Sequence, residues 1–404
     1  VKTAIWRSYK TRPLPHWGGA VWGRDRYDAY ELAAEWEDAP VPEFSMSLNG
    51  GPEMIDLSLP RRLGEIGELG EPTLTQDIGI GQMVTVSILD ADTGADELVI
   101  WRGWIDEYAV TVQPQGEVVK VGLVPLSAKL ADSYLVGPQT FTDTDPSEMM
   151  RWFLDKGYVP GLAWHPTSAL VGATFTHTFE KQTLKEVFDF ITTLAGAAWG
   201  YYVGPDGQVL FRATPTVADH TLTIGRHVSQ VEFTKTATQR RTQVVLYGAG
   251  VTATATAAEY DPSNPLVKVE VDDRITDQEV ADRIAESLLD SLNTIDFRAT
   301  VTVIDNNGPG TDNKGYDIED LKPGDAVVVV NPDAVGQIPK WGSAVWGADY
   351  YDGSPSEMAS QVLRIAKVNY GFDSAVLELS NRQPSQVQTV QDLSDKLKQH
   401  MVAA

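Results

Sequence analysis

The sequence predicts an α+β chain that is mainly β. Three observations carry this. Runs of β-branched and aromatic residues, such as Met83-Val-Thr-Val-Ser-Ile-Leu89 and Ala326-Val-Val-Val-Val330, recur in both halves, bounded by Gly, Pro, Asn and Asp. Between them, apolar residues take helical spacing in three stretches opening near Pro146, Thr183 and Thr276. One pattern, W-G-x-A-V-W-G-x-D-x-Y-D, occurs twice.

Residues 1–42 are rich in Trp, Tyr and Pro, with little periodicity, and are expected as an extended arm. The arm carries the first copy of the pattern, with Trp17, Trp22, Asp25, Tyr27 and Asp28. Over 43–137 the signal is β. The runs 83–89 and 97–105 flank Asp90-Ala-Asp-Thr-Gly94, a turn composition, and runs at 107–112 and 117–124 flank Gln113-Pro-Gln-Gly116. Strands at this spacing suggest a small barrel or sandwich.

Over 138–224 the character changes. Thr144 or Asp145 caps a helix with Pro146 in its first turn, Met149, Trp152 and Phe153 on its apolar face and Gly157 at its end. A second helix begins at Thr183 and aligns Leu184, Val187, Phe188, Ile191 and Leu194 before Gly196. Trp199-Gly-Tyr-Tyr-Val203 and Gln208-Val-Leu-Phe211 flank Gly204-Pro-Asp-Gly207, a hairpin signal. Residues 225–300 form a further α+β segment. Strands return over 228–246, and Thr276-Asp-Gln-Glu279 reads as a capping box for a helix to about Asn293. Residues 301–383 form a β-barrel cassette opened by Leu321-Lys-Pro-Gly-Asp-Ala-Val. Its long loop, 331–360, carries the second copy, with Trp341, Trp346, Asp349, Tyr351 and Asp352. In the tail, 384–404, Val387, Val390, Leu393, Leu397 and Met401 sit at helical spacing. That helix is too short to stand alone and is expected to pack on a neighbour.

Composition narrows the function. A chain of 404 residues suggests two to four domains. A net charge of −24 opposes a surface that clamps nucleic acid by neutralising phosphates, but a repulsive lining would let DNA slide. The absence of cysteine excludes disulfides, thiolate metal sites and cysteine nucleophiles. The start, Val1-Lys-Thr-Ala-Ile-Trp-Arg-Ser, has no apolar core of signal-peptide length, and no run reaches the ~18 apolar residues of a membrane span. No H-E-x-x-H, Walker A or G-x-S-x-G motif is present. The stretch 90–97 places Gly94 fifth, where an EF-hand needs its glycine sixth, and reads as a hairpin turn. No catalytic residue, metal or cofactor is expected, and the chain is read as a non-enzyme.

Three stretches resemble the tail hub proteins of tailed bacteriophages, also called tail-associated or baseplate hub proteins. That family is related to the hubs of contractile-phage baseplates and type VI secretion spikes. The first is Gly79-Ile-Gly-Gln-Met-Val-Thr-Val-Ser-Ile-Leu89 with Ile100-Trp-Arg-Gly-Trp-Ile-Asp106, where the family has a strand ending in an F/W-x-G-x-I turn. The second is Phe179-Glu-Lys-Gln-Thr-Leu184-Lys-Glu-Val-Phe188 with Trp199-Gly-Tyr-Tyr-Val-Gly-Pro-Asp-Gly-Gln-Val-Leu210. The third is Leu321-Lys-Pro-Gly-Asp-Ala-Val with Val362-Leu-Arg-Ile-Ala-Lys-Val. The resemblance implies two small β-barrels per chain, with the helix-plus-hairpin module inserted between them. It further implies a homotrimeric ring in the virion tail, assembled in the host cytoplasm, that adapts six-fold tail rings to a three-fold tip. Its partners would be a distal tail ring protein, tail tip or fibre proteins and the tape-measure protein. DNA would pass through its channel without specific binding during genome ejection.

The duplicated Trp pattern is not part of that resemblance. One reading is subunit packing, because interfaces are enriched in Trp and Tyr. The other is host attachment, with Trp and Tyr stacking on a cell-surface glycan while the Asp pairs accept hydroxyl hydrogen bonds. A glycoside hydrolase built on Asp25 and Asp28 is a weaker third reading, because two carboxylates must face each other across a cleft.

Overall fold

The computed structural model describes residues 2–11, 30–39, 43–61, 79–90, 98–113, 116–238, 240–305, 315–330, 362–371 and 373–382. The chain is α+β and mainly β, as its strand runs require. Its first strands are β1 (Lys2–Thr11), β2 (Tyr30–Ala39), β3 (Phe44–Ser47), β4 (Ile55–Arg61), β5 (Met83–Asp90), β6 (Leu98–Gln113) and β7 (Gly116–Pro125). All but β3 join one antiparallel sheet in the order β2-β1-β5-β6-β7-β4.

Two features of this sheet differ from the sequence expectation. Residues 2–11 and 30–39, expected within an extended arm, pair as β1 and β2. Trp6 drives the docking of β1. It is 1% exposed, lies opposite Val86, and Val86 in turn lies opposite Trp101, which is fully buried. Two indoles thus clamp β5 from either side, and Trp101 Nε1 donates to Glu53 O at 3.2 Å. The second difference is β6, a single strand of 16 residues where two runs were expected. The charged Asp106 interrupts the apolar alternation without ending the strand. A register shift against β7 between Ile105 and Glu107 absorbs it as a β-bulge, which bends the strand.

The second large sheet gathers β13 (His220–Thr223), β14 (Val228–Thr236), β18 (Asp296–Ile304), β19 (Ala326–Val330), β20 (Leu363–Tyr370) and β21 (Ser374–Ser380). Their order is β13-β19-β20-β21-β18-β14, and β3 adds beside β20. β19 pairs with the start of β20 and β3 with its end. The two sheets share one core, which runs from Trp6, Val86 and Trp101 to Val301, Val327, Val368 and Leu377.

Between these sheets the chain builds an α+β module with its own core. α1 (Lys129–Asp132) is one turn. α2 (Pro146–Asp155) is capped by Asp145, which accepts from Ser147 N at 2.8 Å. α3 (Leu184–Ala195) carries a reciprocal capping box between Thr183 and Glu186. α4 (Gln278–Asn293) starts one residue later than its sequence suggests. Asp277, not Thr276, is the cap, because its carboxylate accepts from both Glu279 N and Val280 N. The expected hairpin is β11 (Trp199–Val203) and β12 (Gln208–Ala213), with β9 (Ala163–Trp164) parallel to β12. β8 (Gln139–Thr144) pairs with β10 (Phe175–Phe179), and β15 (Gln243–Tyr247) lies between β16 (Thr252–Thr256) and β17 (Val267–Val271).

A short segment after β3 stitches all three parts together. Leu48 N donates to Ala366 O in the second sheet at 2.9 Å. Asn49 N donates to Tyr201 O at 2.7 Å and Asn49 Oδ1 accepts from Tyr201 N at 3.1 Å, binding the module hairpin. Glu53 O holds Trp101 of the first sheet, and the Glu53 carboxylate meets Lys367 Nζ at 2.8 Å.

Candidate assembly surface and cleft

All ten sequence-predicted site residues lie outside the described residues: Trp17, Trp22, Asp25, Tyr27, Asp28, Trp341, Trp346, Asp349, Tyr351 and Asp352. The tail 384–404 does so too. The described residues bring together three other features.

The first is a polar latch where the module meets the second sheet. Asp325, 8% exposed at the start of β19, accepts from Arg212 of β12, from His220 Nε2 at 3.1 Å and from Lys322 N at 2.9 Å. His220 Nδ1 lies 2.7 Å from the Tyr316 hydroxyl. Arg364 of β20, 5% exposed, donates to Ala198 O at 2.5 Å. Burial, followed by repulsion from Arg212, lowers its pKa to about 9. The sequence signal was the Pro-Gly-Asp325 turn. Its aspartate is read from sequence as a strand opener, while its role as an acceptor for a distant arginine depends on tertiary placement.

The second is a cleft of about 380 Å³ between the sheets and the β11–β12 turn. Phe44 and Tyr370 line it, stacked with centroids 4.9 Å apart. Tyr202 and Met46 line it as well, joined by a Tyr202 hydroxyl to Met46 Sδ contact of 3.2 Å. Asp206, Glu319, Asp320 and Lys322 also border it.

The third is the outer face of the β16-β15-β17 sheet. Pairing places Gln243 between Thr256 and Val267, Val245 between Thr254 and Val269, and Tyr247 between Thr252 and Val271. The opposite face buries Val244, Leu246, Ala253 and Ala255 in the core shared with Val280 and Ile284 of α4. The outer nine residues include no charged side chain, and Tyr247, Val269 and Val271 are 46%, 58% and 66% exposed. Lys268 and Glu270 alternate to the other side and pair at 3.1 Å.

Among the described residues no group of three His, Asp or Glu side chains is placed to hold a metal. His177, on β10, is packed between Phe179 and Phe190, with ring centroids 4.6 and 4.5 Å away. No described helix is long and apolar enough to cross a membrane.

The architecture is that of phage tail proteins, and the fold resemblance read from the sequence holds along nearly the whole chain. The 43 kDa tail protein of prophage MuSo2 from Shewanella oneidensis aligns at 13% identity and a TM-score of 0.55, covering 94% of this chain and 98% of that one. A tail protein from Neisseria meningitidis MC58 aligns at 11% identity and a TM-score of 0.55, covering 95% and 96%. Prophage tail protein gp18 from Listeria monocytogenes EGD-e aligns at 12% identity and a TM-score of 0.51, covering 98% and 99%. No family model and no curated protein matches the sequence.

Proposed function

We propose that this chain is a structural component of a phage tail, a hub whose copies close into a trimeric ring around the DNA path. The observation that carries the reading is coverage. The chain matches each of three tail proteins over at least 94% of itself and 96% of the other, so the likeness takes in nearly the whole of both chains rather than one shared module. The uncharged outer face of β15, β16 and β17 supports it. A chain of net charge −24 repels its copies wherever acidic surfaces meet, and a charge-free face lowers that repulsion. In this reading the ring adapts a six-fold tail tube to a three-fold tip, with the distal tail ring, tip or fibre proteins and the tape measure as neighbours. The two Trp-rich segments add further subunit contacts.

Light scattering on the purified chain tests this. The expected mass is three times that of one chain, moving toward the monomer in Trp22→Ala, Trp346→Ala and Val269→Lys. Circular dichroism should not change in these variants. A wild-type monomer that stays monomeric at high concentration and with its tail neighbours present contradicts the ring. If the Trp variants keep the trimer mass but lose binding to cell-surface glycans, the carbohydrate reading of the two segments takes its place.

A further inference from the structure

We infer that the cleft between the two sheets and the β11–β12 turn is a docking site for a partner's extended segment. That segment places a large apolar side chain beside lysine or arginine. The inference stands apart from ring closure and would hold for a monomer.

The floor selects the apolar part of the ligand. Tyr202 and Tyr370 are 6% and 8% exposed, and both hydroxyls are already engaged, by Met46 Sδ and by Leu321 O. What they present to the cleft is ring surface. Phe44 continues that surface by stacking on Tyr370, and Leu98, 50% exposed, extends it to the lip. An occupant gains here by burying carbon. The volume, about 380 Å³, falls at the small end of ligand sites and suits one or two large side chains.

The rim selects the charge. Asp206 of the hairpin turn and Asp320 border the opening, with Lys322 as the one lysine among the described lining residues. Asp206 is fixed in the hairpin turn, where its Oδ1 accepts from Gln208 N at 3.0 Å. Carboxylates outnumber the cation around an apolar floor, so a cationic segment is drawn in and an acidic one is repelled. A second copy of this chain, at net charge −24, is a poor occupant for the same reason.

The probes are two acetylated and amidated peptides, Lys-Trp-Lys and Glu-Trp-Glu, titrated into the full chain and followed by saturation-transfer NMR. Saturable binding of the lysine peptide is expected, about tenfold or more tighter than that of the glutamate peptide. It should weaken as salt rises from 0.05 to 0.5 M, as about expected for screening of rim charges. Leu98→Ser and Asp320→Lys, both at exposed positions, should each weaken it severalfold without moving the thermal midpoint. Equal affinities, no saturable binding, indifference to salt, or unchanged binding in both variants would each overturn the assignment.

Discussion

Burial sets the chemistry of His177. Its strand alternates inward and outward, and the inward set is Phe175, His177 and Phe179. Desolvation dominates over the opposing pull of Asp272 and lowers the imidazole pKa from 6.5 to about 4. Its Nε2 has no hydrogen-bond partner among the described residues. The neutral form is therefore the folded form, whereas the unfolded chain takes up a proton below pH 6.5. The resulting loss begins as pH falls through 6.5 and is complete near 4, reaching about 2 kcal/mol at pH 5. Thermal melts of wild type and His177→Phe at pH 7 and pH 5 measure it: the acid-induced drop in midpoint should be clearly smaller in the variant. Sequence alternation alone places this histidine on a strand. It gives no sign of how deep the strand is buried, because the covering residue, Phe190, comes from α3.

Strand pairing is where sequence reasoning is weakest, and Gly103 shows why. The W-R-G-W stretch resembles a turn in sequence, yet Gly103 lies within β6, opposite Val84 on one side and Pro125 on the other. A Cβ there would sit 2.1 Å from Val124 O and 2.5 Å from the Trp101 ring. The glycine permits close backbone approach inside a strand, a different use from a turn. Gly103→Ala should cost about 1–3 kcal/mol, read as a lower urea midpoint, because the obstacle includes backbone that cannot step aside. Helices were far more legible. As caps, Asp145, Thr183 and Glu186 act within three residues of themselves, so cap and periodicity are visible together; the further bonds of Asp145 to Val171 N and Gly172 N have no such local signal. β1 and β2 were not, since their pairing partners, β5 included, lie many residues away.

At the scale of the whole molecule, a polar latch ties the module to the second sheet. Asp325 joins Arg212 of the module to His220 of the second sheet, and it is the only carboxylate among the described residues that receives both. Removing it leaves the half-buried Arg212 guanidinium without that counter-charge. Asp325→Ala should lower stability by about 3 kcal/mol in urea unfolding, whereas Arg364→Met should be neutral or stabilising. Equal losses in the two variants would show that packing, not charge, holds the joint. The tail-protein fold was legible in the order of three weak motifs. The latch and the cleft were not, because each is assembled from residues more than 100 positions apart, such as Arg212 with Asp325.

The placement of β3 also bears on biosynthesis. Ser45 hydrogen-bonds Asn369 at 2.6 Å across 324 positions. At roughly 5–20 residues per second, translation separates the two by about 16–65 s. Throughout that interval Phe44 and Met46 have left the ribosome without the strand that will cover them. A holdase that recognises exposed β edges therefore has a defined window on this chain, and it closes only when Tyr370 emerges.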